Sequence, residues 1–295
     1  MTGSNICVAL ETPKTLLGEG LFFSKVEMAI YWVDIKKPRL FKLDLTTKMV
    51  TAHSFDETIS WVNMDTKQNL IVGCVSGIYR FDLALKSKTL IWKNDKQALG
   101  IRLNDAKCDR EGKLFFGTMD EAEKAPKGEL LTFDTNSKCI SVDSNYIVSN
   151  GPAFDCSGNT IYSVSSTERT VFKLTKRNGS LKLNKSVFIK WSENQGFPDG
   201  LTVDSNGNIW IASWGGGAIY CYSPDGKMIE KIEVPAPYVT NITFAGEDYT
   251  DVYITTATAP MTDQQRLAFP DAGKLFHFRT AAKGIEEKPI CNLPI

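Results

Sequence analysis

The feature that most constrains this chain is a repeat of about 44 residues that runs from end to end. A short run of β-branched or aromatic residues after a turn recurs six times, starting at Ile30, Leu70, Leu114, Ile161, Ile209 and Val252. The steps between these starts are 40, 44, 47, 48 and 43 residues. Each run is followed by a second segment that alternates apolar with polar side chains: RLFKLDL from Arg39, GIYRFDL from Gly77, GELLTFD from Gly128, TVFKLTK from Thr170, GAIYCYS from Gly217 and GKLFHFR from Gly273. Alternation with period two is the mark of a half-buried strand. No helical stripe longer than about two turns competes with it. Six repeats with room for three or four strands each predict an all-β chain folded as a six-bladed β-propeller. No Pro/Ser/Gly-rich or charge-rich break divides it, so residues 1–295 are expected to form a single propeller domain. The sixth repeat lacks a fourth strand after Arg279, and Ile6–Leu10 has the composition to supply one. Pairing the two ends in this way would close the ring and leave no long sheet edge.

Four of the first strands are preceded by DTKQN from Asp65, DREGK from Asp109, DCSGN from Asp155 and DSNGN from Asp204. An Asp side chain can cap its own turn while Gly takes a positive φ. EF-hand calcium loops also begin with Asp and contain Gly, but the spacing here differs and no helices flank these segments. Hairpin turns are the reading that fits.

The innermost strand of each blade should lie just ahead of the repeated aromatic strand. Ten or eleven residues before the six starts stand Glu19, Ser60, Asn104, Asn150, Asp199 and Asn241. Every blade thus offers a polar side chain at one mouth of the central channel. Two carboxylates and three amides converging there would suit a hard divalent cation: calcium, magnesium or manganese, with zinc possible. The alternative is that these side chains only hydrogen-bond the turns between strands, as Asn and Asp often do.

Composition narrows the chemistry. Lys+Arg and Asp+Glu are both 34, so the net charge is zero and gives no footprint for nucleic acid or an anionic membrane. The 2 histidines, His53 and His277, lie in strand-like segments, and a His-rich zinc site cannot be built from them. The 7 cysteines are scattered without a C-x-x-C motif, which suits reduced thiols in the cytoplasm. The first residues lack a basic leader with an apolar run, and no stretch is apolar enough to span a membrane.

The stretches LGEG (Leu17–Gly20), YWVDI (Tyr31–Ile35), RLND (Arg102–Asp105), GTM (Gly117–Met119), NGPAF (Asn150–Phe154), PDGLTVD (Pro198–Asp204) and NIWIASWGGGAIYCYSPDG (Asn208–Gly226) occur in an order that resembles the senescence-marker-protein/gluconolactonase/luciferin-regenerating-enzyme family, which includes regucalcin. The resemblance spans essentially the whole chain and implies a six-bladed propeller. It also implies one divalent metal ion held by Glu19, Asn150 and Asp199, and a substrate that is a small sugar lactone opened to an aldonic acid. Asp199 would be the catalytic general base, with the metal polarising the carbonyl. Arg102 and Asn104 inherit substrate contacts. The family's acidic substrate contact after GTM aligns with Ala122, flanked by Glu123 and by Glu121, the candidate here. Other departures are Leu21-Phe22 after GEG, Ala106 after RLND, Ser165 where the family strand often carries Asp, and a shorter stretch over Asp120–Lys127. These bear on substrate identity and leave two other functions open: a non-catalytic metal-binding scaffold, or a hydrolase of other esters or organophosphates.

Overall fold

A computed structural model describes residues 6–177 and 180–294. Six four-stranded antiparallel sheets are arranged as the blades of a propeller. The innermost strands are Gly18–Ser24, Ile59–Met64, Ile101–Cys108, Ser149–Phe154, Phe197–Val203 and Val239–Ala245. Each pairs with the repeated aromatic strand of its blade, and the alternating segment follows as the third strand.

Burial falls from the channel outward, and composition follows it. In the first blade Gly18–Ser24 and Ala29–Asp34 are buried on both faces. The third strand, Arg39–Asp44, alternates, and the outermost, Val50–Ser54, is largely exposed. Strands buried on both faces need apolar side chains at every position, because both sides meet a neighbouring blade. Among the described residues the apolar core divides into six clusters, one in each gap between adjacent blades. Trp32 stacked on Phe41 in one gap, and Trp210 edge-on to Phe244 in another, show how aromatic rings fill these wedges.

The ring closes as the repeat arithmetic requires. Val8–Ala9 pairs with the third strand of the sixth blade, Val8 opposite His277 and Ala9 opposite Phe276. Thr15 adds hydrogen bonds from its hydroxyl to the carbonyls of Thr256 (3.1 Å) and Gly273 (2.9 Å). The four Asp-led segments are hairpin turns: Asp204 Oδ1, for example, accepts from the backbone N–H groups of Asn206 and Asn208, both at 2.9 Å. The fourth residue of each takes positive φ, which Gly112, Gly158 and Gly207 adopt freely and Gln68 adopts at +64°. Among the described residues the one α-helix is short, Asp263–Ala268.

One element has no counterpart in the repeat. Residues 283–292 run across the mouth of the channel where the inner strands end. Along this path Gly284 N–H donates to the carbonyl of Tyr249 (2.8 Å), Ile290 N–H to that of Met64 (2.8 Å) and Cys291 N–H to that of Gly112 (2.9 Å). Glu287 points into the channel, where Asn63 Nδ2 donates to its Oε1 at 2.9 Å and Lys107 Nζ lies 3.6 Å from its Oε2.

Candidate active site

At the opposite mouth, every inner strand breaks register with its neighbour. The shifts fall between Glu19 and Phe22, Ile59 and Trp61, Leu103 and Ala106, Asn150 and Ala153, Pro198 and Leu201, and Val239 and Asn241. A bulge leaves a residue out of the ladder and re-aims its side chain. Glu19, Ser60, Asn104, Asn150 and Asp199 all fall at these breaks. The sixth equivalent is Thr240, not Asn241: the hairpin joining Phe244 to Val252 is longer than in the other blades, so counting back from Val252 lands one place too deep.

The six positions divide by what their side chains do. Three bond the inner strand of the next blade. Ser60 Oγ donates to the Leu103 carbonyl (2.8 Å), Asn104 Nδ2 to that of Ser149 (2.7 Å), and Thr240 Oγ1 to that of Gly18 (2.6 Å). These side chains are engaged in hydrogen bonds, as the alternative reading expects, but to the neighbouring strand rather than to a turn. Glu19, Asn150 and Asp199 make no such bond and border a cavity of about 190 Å³, together with Arg102, Asn104 and Glu123. Each of the three is followed by glycine, where the bonding positions are followed by Trp61, Asp105 and Asn241. The reason is close approach of the next blade. A Cβ on Gly20 would lie 2.7 Å from Trp61 Cα, and one on Gly200 would lie 2.8 Å from the Thr240 carbonyl oxygen.

Beneath the cavity lie two groups that counting from the repeat placed wrongly or missed. Asp105 is buried, accepting from the N–H groups of Ala106 (2.9 Å) and Gly151 (3.1 Å). Asn241 Nδ2 donates to Glu19 Oε2 at 3.0 Å and reaches Asp105 Oδ2 at 3.4 Å. An acidic residue directly after Asn104 was the available signal for Asp105. Ser60 and Asn241 do not border the cavity. Nor does Glu121; of the two exposed glutamates in this loop it is Glu123, at φ +55°, that borders the cavity.

Electrostatics at this mouth are unbalanced. Burial raises the Glu19 carboxyl to about 8, and the nearby Asp105 charge adds to the shift. Burial likewise lifts Asp105 to about 6. Asp199 is raised well above the usual carboxylate range by burial and then by the charges of Glu19 and Asp105. The cation that acts on Glu19 is Arg102, whose NH1 donates to the Leu103 carbonyl (2.9 Å) and to Asn104 Oδ1 (2.8 Å), and the one that acts on Asp105 is Lys107. Among the described residues no three His, Cys, Asp or Glu side chains are grouped to hold a metal ion. Of the bulge positions whose side chains do not donate to the next blade's backbone, two are carboxylates and one an amide, all oxygen-bearing.

The chain is similar throughout its length to proteins of known kind. It is 29% identical to the pentonolactonase of Haloferax volcanii, with 92% of this chain and 93% of that protein aligned. It is 28% identical to the L-arabinolactonase of Azospirillum brasilense, over 97% of this chain and 95% of the relative. Its backbone superimposes on a calcium-binding protein of Agrobacterium tumefaciens, regucalcin, with a TM-score of 0.90 and 26% identity, covering 97% of both chains. Residues 17–258 match the model of the SMP-30/gluconolactonase/LRE-like region, which takes in all six inner strands whole, so the chain belongs to that family.

Proposed function

We propose that this protein is a hydrolase that opens a sugar lactone to the corresponding hydroxy acid, with a divalent cation held by Glu19, Asn150 and Asp199. The observation that carries the reading is the division of the six bulge positions: the three whose side chains do not donate to the next blade's backbone, Glu19, Asn150 and Asp199, all border one cavity. The donor chemistry fits such an ion. Three buried carboxylates, Glu19, Asp105 and Asp199, resist ionisation unless further positive charge joins them: Arg102 acts on Glu19 and Lys107 on Asp105, and burial still raises both. Oxygen donors of this kind suit calcium, magnesium or manganese, with zinc as the borderline case. A cation bound there would polarise the lactone carbonyl and keep Asp199 ionised.

The chain's own groups then have defined tasks. Asp199 takes a proton from the attacking water as its oxygen bonds to the carbonyl carbon. The acyl carbon–ring oxygen bond breaks, and the same proton passes to the ring oxygen, leaving a hydroxy acid. Arg102 keeps guanidinium donors beyond its two internal bonds, and these face the cavity for substrate hydroxyls. Asn104 spends its amide hydrogens on Ser149 and Asn150, so its contribution to substrate is as an acceptor. Glu123 is the acidic substrate contact favoured by the cavity wall over Glu121. The seven free cysteines suit a reducing compartment such as the cytoplasm.

Proton release from a panel of aldonolactones, measured with and without calcium, magnesium, manganese and zinc, tests the proposal. Turnover should require a cation and should be lost in Asp199→Asn. Full turnover in that variant, or after complete chelation, would refute it. A propeller that uses its cation only as a brace would instead bind the ion tightly and release no protons from any lactone.

A further inference from the structure

Four polar side chains at the cavity form one directed chain. Arg102 NH1 donates to Asn104 Oδ1 at 2.8 Å. Asn104 Nδ2 donates to the Ser149 carbonyl at 2.7 Å and to Asn150 Oδ1 at 3.0 Å. Asn150 Nδ2 donates to Ser166 Oγ at 2.9 Å. The direction of this chain is not free. A guanidinium can only donate and a backbone carbonyl can only accept, so the Asn104 amide is pinned from both of its ends. Its NH2 must therefore face Asn150, and Asn150 must answer with its oxygen. Reversing Asn150 would set two NH2 groups against each other.

We propose that Asn104 and Ser166 are positioning residues that clamp the Asn150 amide with its carbonyl oxygen, rather than its NH2, on the side of Asn104 and the cavity. The inference rests on the reading of Asn150 as a cation donor. An amide nitrogen does not ligate a cation, so a reversed Asn150 removes one donor from the set. Asn104 chooses the orientation, because the group it turns toward Asn150 is its NH2, a donor only. Ser166 holds it, because its hydroxyl takes up the buried amide hydrogen that would otherwise lack a partner. Asn104 thus acts mainly through another residue, a task separate from the substrate contact implied by resemblance.

The sign of one substitution separates this role from simple electrostatics. Asn104→Asp adds negative charge beside the cavity, which by charge alone strengthens cation binding. It also replaces the directing NH2 with an acceptor, so Asn150 turns its own NH2 toward position 104 and its oxygen toward the Ser166 hydroxyl. Titration calorimetry with calcium and with manganese, on the full chain, should show weaker binding in Asn104→Asp. Ser166→Ala should weaken binding roughly ten- to a hundredfold, the range found for groups that orient metal ligands, and Ser166→Thr should restore it. Melting curves in chelator should show each variant folded. Tighter binding in Asn104→Asp, or unchanged affinity in a folded Ser166→Ala, overturns the proposal. Absence of cation binding in the wild-type protein overturns it together with the cation site. Cation binding that follows the predicted order without lactone turnover supports the clamp and refutes only the hydrolase reading.

Discussion

Removing divalent cation should make this protein lose stability as pH rises, contrary to the usual behaviour of a protein rich in paired carboxylates. The cause is Glu19, whose carboxyl is raised from 4.5 to about 8 by burial and by the Asp105 charge. A folded state that holds its proton more tightly than the unfolded chain is favoured at low pH. The advantage is complete below the unfolded value and is lost as pH climbs through the folded one. Between pH 6 and 9 the loss from Glu19 spans about two pH units, or about 3 kcal/mol. Asp199 is raised by burial and by its acidic neighbours, so it acts in the same direction. With an unfolding entropy of about 2.1 cal/mol/K per residue, 3 kcal/mol lowers the melting temperature of a 295-residue chain by about 5 °C. Differential scanning calorimetry at pH 6, 7, 8 and 9, in chelator and in saturating calcium, measures this directly. The chelated protein should melt lower at each step, the calcium-loaded protein should be nearly level, and Glu19→Gln should flatten the chelated curve. A chelated melting temperature that holds steady or rises from pH 6 to 9 would refute the reasoning.

Three further outcomes follow from the geometry. Gln68→Gly should stabilise the protein by about 1 kcal/mol in denaturant melts, because Gln68 sits at φ +64° where the equivalent turns have glycine. Gly200→Ala should weaken cation binding and lower stability by about 1–3 kcal/mol, since its Cβ would fall 2.6 Å from the Asn241 side chain and 2.8 Å from the Thr240 carbonyl; calorimetry and melting curves report the two effects. Glu287→Ala should cost about 3 kcal/mol by leaving the buried Lys107 unpaired and Asn63 without its acceptor, and adding Lys107→Met should recover part of that loss.

Much of this architecture is legible in the sequence because each blade repeats the same physical problem. Two strands squeezed between neighbours demand apolar runs, and the outer strands demand alternation, so the period shows through weak similarity between copies. Glu19, Asn150 and Asp199 keep phase with the strands that position them, as Ser60 and Asn104 do, so the period marks the mouth, while the choice of those three as a cation set rests on the family resemblance. What misled was loop length. One longer hairpin in the sixth blade moved the count from Thr240 to Asn241, although both are polar and fit the pattern. Asp105 escaped because it lies one place off the repeated phase, where the other blades carry Gly20, Trp61, Gly151, Gly200 and Asn241. Glu123 borders the cavity from a loop, which no periodicity encodes. The segment after Lys283 has no period at all, since it is held by backbone hydrogen bonds to blade ends rather than by a strand ladder.

That last segment decides how molecules travel. With Glu287 set into the far mouth and the chain drawn across it, the central channel has become a cul-de-sac. For a lactone hydrolase this means one doorway for traffic in both directions, so each acid must leave before the next lactone can arrive. Under the proposed reaction a neutral lactone becomes an anion in a cavity bordered by Arg102 and by the groups proposed to hold the cation, so product has reason to linger. Accumulated product and fresh substrate must therefore compete for the same opening.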